Sequence, residues 1–227
     1  MRKNLLIGAL FALGLSTSAM AAGEVFDGYT GNPNNNPPAD RTDEDLFYGD
    51  LTPEFGIGCS NPSGTSGGPN DVAVGVTASC TPPFVITSHY YNIFTNVSPN
   101  ITQLDFVAWA GGAVPGAEIA GSRVSLAPQW GAGDHTVAIP NVVIPSAQFY
   151  FGQNQNQTNV GLRWGVDSSS GSWGTSYIRA PTCGAAAFTL LDNLGFPGNW
   201  VMAVTVKCEG PVPVELKSWG SVKALYN

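Results

Sequence analysis

Charged residues are scarce in this chain, in which only 11% of the 227 residues are Asp, Glu, Lys or Arg. Basic residues are the scarcer sign, with nine Lys and Arg against sixteen Asp and Glu, and they are scattered along the sequence. Nucleic acids and anionic membrane surfaces are bound by clustered basic side chains. The composition therefore argues against both as partners.

Long apolar runs are missing beyond the first 21 residues. The early run Leu5–Leu15 follows Arg2 and Lys3 and precedes small residues ending at Ala21, which is the pattern of a secretory signal peptide cleaved near Ala21. The run is shorter than the roughly 20 residues of a membrane helix, and an uncleaved anchor is the alternative. The sequence thus predicts a secreted, periplasmic or cell-surface protein of 206 residues, with no membrane span after signal removal.

Helix signals are almost absent before the last dozen residues. The chain has 28 Gly and 17 Pro, and short apolar runs alternate with Gly, Asn, Ser and Pro clusters, most clearly between residues 141 and 207. This pattern is typical of consecutive antiparallel strands and predicts an all-β sandwich of about nine or ten strands. The predicted strands are Val72–Ala78, Phe84–Phe94, Ile101–Ala110, Arg123–Ala127, His135–Ile144, Gln148–Phe151, Val160–Val166, Trp173–Arg179, Ala186–Leu190 and Trp200–Lys207.

Composition divides the chain around this domain, which is predicted to span residues 70–210. Residues 22–69 are rich in Asn, Pro, Gly and Ser and are predicted to form an extended polar segment, because they bury little apolar surface. Residues 211–227 are predicted to form a Pro-containing linker and a short helix, in which Trp219 and Tyr226 share one face. Such a short helix needs a surface to dock on, either the sandwich or a partner.

Four cysteines lie in the exported part, and an even number in an oxidising compartment predicts two disulfides. Three pairings are possible, and Cys59–Cys80 with Cys183–Cys208 is favoured because each bridge closes a short segment. Each bridge is expected to stabilise the fold by about 3 kcal/mol on the chain-entropy estimate. A metal site is the competing interpretation, but the Cys-x2-Cys spacing is absent.

Calcium is the only cofactor that the sequence suggests. Asp40, Asp43 and Asp45 lie in an acidic cluster whose oxygen ligands suit that ion. The spacing is not that of an EF-hand loop, so a solvated acidic patch is the favoured alternative.

Several runs between residues 70 and 208 resemble jelly-roll modules of secreted bacterial proteins. They are "AGGAVPGAEI" (110–119), "GDHTVAIPNVVIPSAQFYFG" (133–152), "VGLRWGVDSSSGSWGTSYIRAP" (160–181) and "GFPGNWVMAVTV" (195–206). The residues from Pro213 onward also look similar to short C-terminal tails of exported bacterial proteins. The resemblance implies an accessory β-sandwich of jelly-roll type, usually with no assigned activity.

Catalytic motifs are lacking. Only His89 and His135 are available as imidazole bases, and neither a Gly-x-Ser-x-Gly elbow nor a His-Glu-x-x-His motif occurs. The sequence therefore predicts a protein that is not an enzyme. A secreted hydrolase remains as an alternative, because a Ser-His-Asp triad or a glycosidase pair can assemble from distant residues. The candidate carboxylates for such a pair are Asp105, Glu118, Asp167 and Asp192.

Binding of a carbohydrate or another cell-surface ligand is the favoured function. Sandwich modules stack sugar rings on aromatic side chains and bind hydroxyls with nearby amides. The candidate ligand-binding residues are Trp130, Trp164, Trp173, Gln153, Asn154 and Gln155. For any single Trp, burial in the core is the more common role.

A structural role is the remaining alternative. A surface or filament subunit would self-associate through its N-terminal extension or its C-terminal tail, for example by adding a strand to a neighbour's sheet. The sequence specifies neither the ligand nor the oligomeric state.

Overall fold

The computed structural model describes residues 25–29, 44–60, 67–79, 81–96, 101–158 and 161–207. The predicted signal peptide, the predicted C-terminal helix, and Cys80 and Cys208 lie outside these ranges. Within them, no helix is long and apolar enough to cross a membrane.

The described residues form fourteen strands and two short 3-10 turns, Pro181–Cys183 and Leu191–Leu194. The strands are β1 (Val25–Tyr29), β2 (Glu44–Phe47), β3 (Phe55–Ser60), β4 (Asn70–Thr77), β5 (Phe84–Asn96), β6 (Asp105–Ala110), β7 (Val124–Ser125), β8 (Gly133–Ile144), β9 (Gln148–Gln155), β10 (Leu162–Asp167), β11 (Ser176–Ala180), β12 (Ala185–Leu190), β13 (Asn199–Trp200) and β14 (Met202–Lys207).

The strands pair in two antiparallel sheets, which confirms the predicted all-β class and is the arrangement of a β-sandwich. An eight-stranded sheet has the order β1-β3-β10-β5-β14-β2, with β8 paired to β5 and β13 paired to β10. A six-stranded sheet has the order β12-β11-β4-β9-β6-β7. Every strand predicted from residue 70 onward has a counterpart in this list.

The strand count exceeds the predicted nine or ten, chiefly because residues 22–69 contribute β1, β2 and β3 to the eight-stranded sheet. Their composition indicates an extended polar segment. Sheet pairing, however, depends on backbone groups, and β3 pairs with both β1 and β10 although two of its six residues are glycine. In addition, the predicted strand Trp200–Lys207 is divided into β13 and β14.

The hydrophobic core combines alternate side chains of both sheets. Trp164, Trp200 and Tyr91 of the eight-stranded sheet and Phe106 and Phe151 of the six-stranded sheet are each less than 2% exposed. Full burial of such a side chain contributes about 1.5 to 3 kcal/mol to folding. The aromatic residues therefore supply much of the attraction between the sheets.

A chain of buried hydrogen bonds also crosses the core. Trp164 Nε1 donates to Gln153 Oε1 at 2.6 Å, and Gln153 Nε2 lies 3.1 Å from His89 Nε2. His89 Nδ1 lies 3.1 Å from the carbonyl oxygen of Ala203. Because a carbonyl only accepts, Nδ1 carries the proton and Nε2 accepts from Gln153. The chain thus links β9 of one sheet to β10, β5 and β14 of the other.

The disulfide in the described residues joins Cys59 to Cys183, so both favoured pairings, Cys59–Cys80 and Cys183–Cys208, are wrong. The prediction assumed that cysteines close in sequence are close in space. It failed because β3, which carries Cys59, and the following β4 belong to different sheets. Cys59 instead lies beside the Pro181–Cys183 turn, and Thr182 Oγ1 is 3.2 Å from its sulfur. The bridge closes 124 residues of chain, worth about 4 to 5 kcal/mol on the chain-entropy estimate.

A candidate ligand-binding surface around Trp173

Trp173 lies on a surface formed by three segments that follow or precede strands. These segments are 48–54 between β2 and β3, 167–175 between β10 and β11, and 191–199, which contains the second 3-10 turn. We call the exposed area around Trp173 and Tyr48, together with the carboxylates of these segments, the Trp173 surface.

Trp173 is 61% exposed, the highest value among the large apolar side chains of the described residues. Its ring centroid lies 5.4 Å from that of the half-buried Tyr48, with 34° between the ring planes. Tyr48 also packs against the core, so the aromatic area in contact with water is chiefly the ring of Trp173. A large aromatic ring left in solvent gains little for folding, and neighbouring exposed apolar groups are a common feature of binding surfaces.

The backbone that carries Trp173 is fixed by a buried side chain. Asn199, which is 1% exposed, accepts the Trp173 N–H through Oδ1 at 3.1 Å and donates through Nδ2 to the Gly171 carbonyl at 2.6 Å. Ser172, which lies between Gly171 and Trp173, donates through its Oγ to Asp192 Oδ1 at 2.7 Å. These bonds tie the 167–175 segment to the 191–199 segment, so the exposed ring is presented on a held loop.

Asp167 joins the 48–54 segment to the 167–175 segment. Its carboxylate is fully buried and accepts the Asp50 N–H at 2.9 Å, the Ser170 N–H at 3.0 Å and the Ser169 hydroxyl at 3.0 Å. Burial raises the pKa of this carboxyl, but the hydrogen bonds outweigh burial and hold the pKa below its ordinary value. A Cβ at Gly49 would lie 1.9 Å from Asp167 Oδ2, so the approach of the two segments requires glycine there.

The three segments carry charge of one sign. They contain Asp50, Glu54, Asp167 and Asp192 and have no Lys, Arg or His. Glu54 Oε2 accepts the N–H groups of Ser168 at 2.7 Å and Ser169 at 3.4 Å. The Trp173 surface therefore combines an exposed aromatic ring with acidic segments that contain no basic residue.

The other predicted binding residues lie elsewhere. Trp164, Gln153 and Gln155 are fully buried, so they cannot contact a ligand at the protein surface. Gln155 accepts from Asn70 Nδ2 and donates to the Gln157 carbonyl, which leaves its amide committed to the fold. Trp130 is half-buried and packs against the core. Of the six predicted residues, only Trp173 belongs to the Trp173 surface.

Asn154 belongs to a row of polar side chains that crosses the six-stranded sheet, which we call the polar row. Its Nδ2 donates to Asp71 Oδ1 at 2.5 Å, and its Oδ1 accepts from Arg123 Nη1 at 2.7 Å. Arg179 pairs with Asp71 at 2.7 Å at one end of the row. Arg123 pairs with Asp105 at 2.9 Å and with Glu118 at 2.8 Å at the other end.

The polar row also shows how the candidate catalytic carboxylates are placed. Asp105 and Glu118 converge on Arg123, where both are engaged in ion pairs, whereas Asp167 and Asp192 belong to the Trp173 surface. The imidazole of His89 is enclosed in the core, and His135 Nε2 lies 2.7 Å from the Gly131 carbonyl. The residues suggested for hydrolysis are thus divided among separate parts of the fold.

Of the candidate calcium ligands, Asp40 and Asp43 lie outside the described residues. Asp45 accepts a hydrogen bond from Thr205 Oγ1 at 2.7 Å. The described part of the chain contains no group of three His, Cys, Asp or Glu side chains arranged to hold a metal ion.

Sequence reasoning missed Tyr48 and Asn199 as parts of the Trp173 surface. Tyr48 is 125 positions from Trp173, and nothing in its neighbourhood indicates the contact. Asn199 precedes Trp200 in a Gly-Asn-Trp run that indicates a turn, but not that its amide holds a distant loop. Comparison of the chain with protein-family models, with curated proteins and with solved structures finds no match.

Proposed function

We propose that this protein is a secreted, non-catalytic β-sandwich module of jelly-roll type that binds carbohydrate at the Trp173 surface. The observation that carries the proposal is the 61% exposure of Trp173 on a loop held by the buried Asn199. The disulfide Cys59–Cys183 supports an oxidising compartment, as expected for an exported protein.

The chemistry of sugar recognition fits this arrangement. A pyranose ring presents a face of C–H groups that packs on an aromatic ring, while its hydroxyls take hydrogen bonds from polar groups at the edge. Trp173 and Tyr48 supply the aromatic area, and Ser172, which precedes Trp173 in the chain, donates its hydroxyl to Asp192 beside it. Because the loop is already ordered, binding does not have to meet the full entropy cost of fixing it.

Retention on insoluble polysaccharides tests the proposal. The mature protein and a Trp173→Ala variant are compared on cellulose, chitin and xylan, with sedimentation velocity run on the same samples. We expect the wild-type protein to be retained as a monomer and the Trp173→Ala variant to lose retention while its unfolding midpoint stays nearly unchanged. The matched control is Phe47→Ala, which removes another exposed aromatic ring, one that is 40% exposed.

Loss of retention in both variants, or in neither, would contradict the assignment of the site to Trp173. A large particle without retention would instead support the structural role, whose predicted contacts, the N-terminal extension and the C-terminal tail, lie mainly outside the described residues.

A further inference from the structure

The charge of the Trp173 surface narrows the class of ligand. We infer that the carbohydrate is cationic, a polymer of amino sugars with protonated amines, because the three segments that carry the exposed Trp173 and the adjoining Tyr48 contain carboxylates and no basic residue. This inference rests on the proposed carbohydrate binding and specifies its substrate class.

The three segments of the Trp173 surface contain no basic residue of their own. Of their four carboxylates, Asp167 is fully buried, whereas Asp50, Glu54 and Asp192 are exposed or partly exposed. Arg123 and Arg179, which form ion pairs, belong to the polar row of the six-stranded sheet and not to these segments. A concentration of one sign of charge raises the local concentration of ligands with the opposite sign.

The carboxylates keep acceptor capacity for a ligand. Asp192 uses Oδ1 for Ser172, and Glu54 uses Oε2 for two backbone N–H groups. Each carboxylate therefore retains a second oxygen, with several lone-pair sites, that these bonds do not use. A protonated amine on a sugar ring has three N–H donors and matches these oxygens.

The exposed ring of Trp173 favours the same ligand. The face of a Trp ring carries the negative side of its quadrupole and attracts a cation, more strongly than Tyr or Phe does. An amino sugar stacked on Trp173 satisfies both requirements at once, because its ring packs on the indole while its ammonium group meets the acidic segments. A neutral sugar uses only the first of these interactions.

The test compares soluble chitosan, whose amines are protonated at mildly acidic pH, with soluble oligomers of acetylated chitin and of cellulose. The charge variant is Asp192→Asn with Glu54→Gln, in which the amide oxygens still accept the bonds from Ser172 and the 168–169 backbone. The control variant is Glu118→Gln with Asp134→Asn, which changes net charge equally at residues outside the three segments. Trp173→Ala is measured in parallel.

We expect wild-type protein to bind chitosan more tightly than either neutral oligomer. The charge variant should weaken chitosan binding about 2- to 30-fold, the range for two partly exposed charges, while the control variant leaves it unchanged. Ionic strength of about 1 M, where the Debye length falls to about 3 Å, should reduce the preference for chitosan.

The wild-type protein could instead bind neutral oligomers and chitosan equally well, with binding lost in Trp173→Ala and unaffected in the charge variant. This result would overturn the cationic class of ligand and leave the proposed carbohydrate binding standing. Two other results would indicate a general attraction of chitosan to an acidic protein and would also overturn the cationic class. They are chitosan binding that is weakened equally in the charge and control variants, and chitosan binding that survives Trp173→Ala. Binding to none of the three ligands would contradict both proposals.

Discussion

Gln153 is the residue whose replacement tests the core most directly. Gln153→Leu keeps a side chain of similar length but removes the acceptor of Trp164 Nε1 and the donor to His89 Nε2. Leaving a buried polar group without its partner costs about 1 to 3 kcal/mol, so the two groups together should cost about 2 to 6 kcal/mol. For a domain of this size, 1 kcal/mol corresponds to about 2 to 4 °C in melting temperature.

A double-mutant cycle separates this effect from altered packing. Trp164→Phe removes the indole N–H, so in the Gln153→Leu background it removes the group that the first substitution left unpaired. Urea midpoints and slopes of the four proteins give the coupling energy, which we expect to be about 1 to 2 kcal/mol, with the double variant more stable than additivity predicts. If the losses of unfolding free energy in the two single variants simply add in the double variant, the Trp164–Gln153 hydrogen bond does not contribute to stability. The losses in the single variants would then come from altered packing alone.

Three further predictions concern other parts of the chain. Cys80 and Cys208 should be disulfide-linked, because the residues next to them in the chain are held near each other. Lys207 pairs with Val85, and the Ser79 N–H donates to Glu44, whose strand pairs with β14. A peptide map under non-reducing conditions that shows either cysteine joined to Cys59 or Cys183 would contradict this prediction. Asp167 has a lowered pKa and should contribute stability that is present above the ordinary Asp pKa of about 3.9 and is lost as pH falls through the lower pKa of the folded state. Asp167→Asn should therefore shrink the difference between the urea midpoints measured at pH 6 and at about pH 2, and an unchanged difference would contradict the prediction. Asn154→Asp should destabilise the fold by about 1 to 3 kcal/mol, since it removes the donor to Asp71 and adds a fourth carboxylate to the polar row. An unchanged urea midpoint would show that the hydrogen bond from Asn154 to Asp71 does not contribute to stability.

The sequence was sufficient to predict the class of the fold from residue 70 onward, because strand periodicity and turn residues are local signals. It was insufficient for residues 22–69. There, β2 has two acidic residues out of four and β3 two glycines out of six, so neither shows the apolar enrichment by which strands are recognised. What places them in the sheet is backbone pairing with β14 and β10, which lie more than 100 residues further along the chain.

Disulfide pairing failed as a prediction for the same reason. Cys59 is adjacent in sequence to β4, but consecutive strands of a sandwich often lie in opposite sheets, so a short segment does not bring its ends together. The neighbour of Cys59 in space is the turn before β12, which is determined by the order of strands in both sheets. Residue spacing contains no information on that order.

Trp164 and Trp173 show what separates a core residue from a surface residue in one stretch of sequence. All six residues of β10 are buried, but in the sequence the apolar Leu162, Trp164 and Val166 alternate with other residue types. This two-residue period places the three side chains together on the face that packs in the core. Trp173 lies beyond the end of that strand and immediately before Gly174, whose φ of +68° belongs to a turn. Turn residues on both sides of a Trp were therefore an available signal that its ring is not in a sheet. Whether the ring is held for a ligand depended on Asn199 and Tyr48, which only the tertiary fold brings to it.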